Sequence, residues 1–79
     1  MRKIKQGTEE EWRAFGKAVK GLRDQFCSVG MEYQELLPAK LIDYYFNIIN
    51  KIDKFRAKAE DEMFRRGGPQ DIKVWYPDD

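Results

Sequence analysis

The chain contains no histidine, one cysteine (Cys27), one serine (Ser28) and one threonine (Thr8). Acid–base work near neutral pH usually falls to histidine, and covalent catalysis needs an activated hydroxyl or thiol beside a base. Neither pairing can be assembled from this inventory, so the sequence is read as a non-enzyme whose function comes from its surfaces. A lone cysteine closes no intramolecular disulfide, and without histidine it completes no zinc site. The sequence has no apolar run long enough to span a bilayer, and its basic start, Met1-Arg2-Lys3-Ile4-Lys5, leads into charge and not into a secretory core. A cytoplasmic protein without cofactor, metal or membrane partner is the expectation, and free Cys27 suits a reducing compartment. Net charge is +1, so no global field selects an acidic partner.

What is present is a 79-residue chain, 42% hydrophobic and 14% aromatic, enough to fold despite 37% charged residues. A single small helical domain over 1–79 is expected, with a basic arm at 1–7 and a tail at 67–79. A core of that size supplies only about 3–5 kcal/mol, which turns attention to oligomerisation or partner binding.

Thr8 followed by Glu9, Glu10 and Glu11 has the spacing of a capping box and starts a first helix, over 9–28. Trp12, Phe15, Val19, Leu22, Phe26 and Val29 recur at steps of three and four, with charged residues between them. Gly30 is a stop signal. Tyr33, Leu37 and Leu41 could continue the stripe, but Pro38 would break that helix, so Met31 to Leu37 read as a connector with one helical turn, and Pro38, harmless in a first turn, opens a second helix over 38–66. That helix ends in Arg65-Arg66-Gly67-Gly68-Pro69, cations at the carbonyl end with glycine beyond. The architecture read from this pattern is an all-α antiparallel helical hairpin with a short extended tail, dimerising into a four-helix bundle.

The second helix carries a seam, Leu41, Tyr45, Ile48, Ile52, Phe55, Ala59 and Met63, flanked by Ile42, Phe46, Ile49 and Phe64. Its apolar arc spans roughly 200°, where one neighbour needs about 100°. The first helix is expected to cover Leu41, Ile48, Ile52, Phe55 and Ala59 and to leave Ile42, Phe46 and Ile49 for something else, because exposing them forfeits about 1.5–3 kcal/mol each. A second copy ranks first, the Ile72–Tyr76 segment second, a foreign protein third. Ile42, Phe46, Ile49, Phe64, Trp75 and Tyr76 are therefore the expected oligomer or partner interface. The tail, strand-like between Pro69 and Pro77, either folds back on the hairpin, pairs with Arg2-Lys3-Ile4-Lys5, or enters a partner groove.

The expected role is a small adaptor, regulator or inhibitor that binds another protein. The rival is a dimeric nucleic-acid-binding protein using Arg13, Lys17, Lys20, Lys51, Lys54 and Lys58, whose stripes can track phosphates. Acids interrupt those stripes, and spacing pairs Glu9 with Arg13, Lys20 with Asp24 and Lys58 with Glu62, which favours a solvated face. The clusters Glu9-Glu10-Glu11 and Glu60-Asp61-Glu62 lack metal-loop spacing. Cys27, near a helix end, reads as inert. Gly16 borders the first stripe and suits close helix approach, whereas Gly21 faces solvent at a cost of about 1 kcal/mol.

Overall fold

A computed structural model describes residues 6–77. Helix α1 spans Glu9–Tyr33 and helix α2 spans Ala39–Arg65; they pack as an antiparallel hairpin, and no strand occurs among the described residues. The capping box forms as the sequence predicts. Thr8 Oγ1 accepts from the Glu11 amide at 3.1 Å, and Glu11 Oε1 accepts from the Thr8 amide at 2.9 Å.

At its other end α1 overruns the expected stop by five residues, because Gly30 serves packing and not termination. The ring of Tyr45 lies against Gly30 so closely that any Cβ there would collide with it. Tyr45 stacks on Phe26 at 4.0 Å, and its hydroxyl donates to the Phe26 carbonyl at 2.6 Å. That carbonyl is four residues before Gly30, so the missing side chain opens the helix backbone to the tyrosine. A 3₁₀ turn at Gln34–Leu36 then carries the chain to Pro38, the N-cap of α2, whose carbonyl accepts from Leu41 and Ile42.

Gly67, at φ +76°, ends α2 in a Schellman motif: the Gly68 amide donates to Met63 O at 2.9 Å and the Gly67 amide to Phe64 O at 3.2 Å. The chain then reverses through buried Pro69. The expected extended tail is instead a turn of 3₁₀ helix at Ile72–Val74, since the Asp71 carboxylate accepts from the Lys73 amide at 2.9 Å and bends the backbone. This turn drives Trp75, 0% exposed, between the helices against Phe15, Phe55, Ala59 and Met63. Gly16 does permit a close approach, but of the tail: a Cβ there would collide with the Val74 carbonyl. The proposed pairing with Arg2-Lys3-Ile4-Lys5 lies outside the described residues, as do Asp78 and Asp79.

The result is a slab of 44 × 32 × 15 Å, its thinnest dimension little more than one helix diameter of about 10–12 Å. Its radius of gyration is 15.2 Å, where a compact chain of this length has about 11–12 Å. One layer of helices buries one seam and leaves its faces open.

Candidate functional site

The seam between the helices lies to one side of the one expected. Ile49 and Arg56, two turns apart on one face of α2, are each 6% exposed, whereas Leu41 (51%) and Phe55 (46%) stand open. Of the residues expected under α1, Ala59 is buried and Ile48 and Ile52 are half-buried, but Leu41 and Phe55 are left open and Ile49, expected to await a partner, is buried instead. Two contacts turn the helices this way: Tyr45 docks at Gly30, and Arg23 binds Asp53 through two hydrogen bonds, at 2.9 and 3.3 Å. Arg56 joins the same carboxylate at 3.2 Å and donates to the Trp75 carbonyl, tying the tail to the ion pair. The hydrogen bond from Arg23, reinforced by Arg56, holds the Asp53 carboxyl below its ordinary range against the opposing effect of burial.

The other residues expected to face a partner are engaged within the chain to different degrees. Phe64 packs on the Trp75 cluster, and Tyr76 lies under the Arg56 guanidinium at 4.6 Å. Ile42 and Phe46 are half-buried. Trp75 has no surface left to offer.

The rotation exposes a different set. On α1, Phe15, Leu22 and Val29 recur every seven residues; on α2, Leu41, Ile48 and Phe55 do the same. Leu22 is 64% exposed, Phe15 45% and Val29 41%. The two stripes meet on one face. Val19 and Leu22 of α1 and Ile48, Ile52 and Phe55 of α2 line a groove of about 270 Å³, and Leu22, Phe26, Val29 and Tyr45 line its continuation toward the loop. Phe15 closes the opposite end, edge-on to Phe55 at 6.1 Å. The regular spacing of the α1 stripe points to the intramolecular seam, whereas Phe15, Leu22 and Val29 face solvent. The legible signal was the shared seven-residue step of the two stripes.

The cations fall into two separate groups. Arg13, Lys17 and Lys20 border a depression of about 470 Å³ beneath the tail, where the fold adds Lys73, and Gly21 leaves the space open. Within it Arg13 pairs with Glu9 and Asp71, and Lys20 with Asp24. Lys51 instead borders the apolar groove, with Lys54 and Lys58 exposed along the same helix. Among the described residues no group of three acidic or cysteine side chains gathers where it could hold a metal ion, and no helix is long and apolar enough to cross a membrane. Burial, with Asp61 nearby, pushes the Glu60 carboxyl above its ordinary value, and one of its oxygens is buried without a hydrogen-bond partner. No protein-family model, curated protein or solved structure matches the chain.

Proposed function

We propose that this protein is a non-catalytic protein–protein interaction module, a small adaptor, regulator or inhibitor that acts by occupying a surface. The observation that carries the reading is the open apolar face. Phe15, Leu22, Val29, Leu41 and Phe55 leave roughly 500 Å² of side chain in water on one face of the hairpin, more than scattered surface hydrophobics present. Phe15 and Phe55 belong to the aromatic residues enriched at protein interfaces, and the three aliphatic residues beside them extend the same apolar face. The half-buried free thiol of Cys27 accords with a reducing, cytoplasmic setting.

Leu22→Asp tests it, because Leu22 is the most exposed member of the groove and its replacement leaves the Trp75 cluster intact. In affinity capture from the native host, proteins retained by the wild-type chain should be lost by the variant, with the helical circular-dichroism spectrum unchanged. Identical retention by both baits overturns the reading.

Nucleic-acid binding is the second reading, favoured by the tail's placing Lys73 beside Arg13, Lys17 and Lys20. The ion pairs to Glu9, Asp71 and Asp24 count against it, since phosphate must displace them. Phosphate binding weakens steeply with salt, whereas binding through the apolar face does not.

A further inference from the structure

We infer that the occupant of the open face is a second copy of this chain, seated so that α1 of each protomer lies antiparallel on α2 of the other. This rests on the interaction reading above and names its partner. Three observations select it. The first is period: a seven-residue apolar step in both helices, in stripes that converge on one side of the layer, is the pattern by which helices pack on helices at shallow angles. A hairpin one layer thick with such a face is half of a four-helix bundle, and a two-fold axis supplies the other half without requiring any new surface.

The second is area. The five exposed stripe residues and the half-buried Val19, Phe26, Ile48 and Ile52 between them bring the open apolar surface toward the roughly 800 Å² per partner of a stable interface.

The third is charge, and it fixes the pairing. The outer flank of α2 beside the groove carries Lys51, Lys54 and Lys58, all exposed. The corresponding flank of α1 carries Ala14, Ala18 and Gln25 at its centre and Glu11 and Glu32 toward its ends, all exposed, so it bears no positive charge. Stacking α2 on α2 would oppose two lysine rows; stacking α1 on α2 instead lays each row over the uncharged Ala18–Gln25 stretch of that flank, where the aliphatic stems pack and the ammonium groups reach water. A two-fold axis parallel to the helices produces this pairing and makes every neighbouring helix antiparallel.

The experiment has two parts. Sedimentation equilibrium of the full chain at high micromolar concentration should give twice the chain mass, and Leu22→Asp should halve it while retaining helical circular dichroism. In a Cys27→Ser background, a chain bearing Gln25→Cys, which the pairing sets level with residue 51 of the partner, is then mixed with one bearing Lys51→Cys and oxidised. Cross-links should join unlike chains. Dominant linkage between two chains that both carry Lys51→Cys overturns the pairing. A monomeric wild-type mass overturns the dimer. If that monomer still loses a protein partner on Leu22→Asp, the interaction reading survives; if nothing changes, both fall.

Discussion

Where the hairpin begins and finishes, α1 and α2 close on a third element; at the loop, they face each other alone. At the first end Ala59, Met63, Val74 and Trp75 are all at or below 8% exposure. Toward the other, Leu36 and Tyr44 are at least 70% exposed and Leu41 is half open. Both ends are rich in apolar residues, so composition does not separate them. What separates them is a tail of about ten residues that folds over one end. Two helices alone form a layer, and only the end that receives a third piece acquires an interior.

The largest expected effect comes from deleting that piece. Trp75→Ala should cost about 3–5 kcal/mol, the range for truncating a fully buried aromatic side chain. That equals the whole core contribution expected of a chain this small, about 3–5 kcal/mol, so urea unfolding should lose its cooperative native baseline. An unchanged midpoint would mean the terminal end owes nothing to the wedge, and the contrast between the ends would collapse.

The three glycines inside α1 sharpen the comparison. Gly30→Ala and Gly16→Ala force a methyl into the Tyr45 ring and the Val74 carbonyl, and each should destabilise by about 1–3 kcal/mol. At Gly21 nothing lies within 4 Å of an added Cβ, and Gly21→Ala should stabilise by about 1 kcal/mol through helix propensity. Thermal melts of the three variants give opposite signs from one chemical change. The open face adds a concentration effect: if a second copy covers it, each tenfold dilution weakens the dimer by about 1.4 kcal/mol and lowers the melting temperature, by analogy with any ligand that binds only the folded state. A melting temperature independent of concentration would leave the open face as exposed in solution as in the single chain.

Much of this fold was legible beforehand, and the parts that were not share a cause. Thr8 with Glu11, and Gly67 with Gly68, are local signals read within one turn, and they placed the start of α1 and the end of α2. The width of the apolar arc on α2 was also readable, as was its consequence that α1 alone leaves part of it bare. Which part was not readable. That choice depends on Gly30 admitting Tyr45, fifteen residues on, and on Arg23 finding Asp53, thirty residues on. A glycine read locally is a stop; read with its distant partner it is a socket. Ile49 and Trp75 therefore moved from expected interface to interior, and Phe15, Leu22 and Val29 became the candidate surface.

The smallest expected effects are electrostatic and run in opposite directions with pH. Asp53, held low chiefly by the hydrogen bond from Arg23, binds fewer protons when folded than when unfolded. Its contribution is present above the ordinary value of 3.8 and is lost as pH falls through the lower folded value. Glu60 is raised chiefly by burial, so the folded chain holds its proton longer; stability from this group declines as pH rises from 4.5 through the higher folded value, leaving a penalty at neutrality. Asp53→Asn should lower stability at pH 7 and flatten the acid limb, an effect reduced by solvent because the carboxylate is 39% exposed. Glu60→Gln should raise stability at pH 7 and leave it unchanged well below pH 4.5. Urea midpoints measured from pH 3 to pH 7 separate the two. A Glu60→Gln variant less stable than the parent at neutrality would show that the half-buried carboxylate has a partner in solution that outweighs the cost of burying its Oε2.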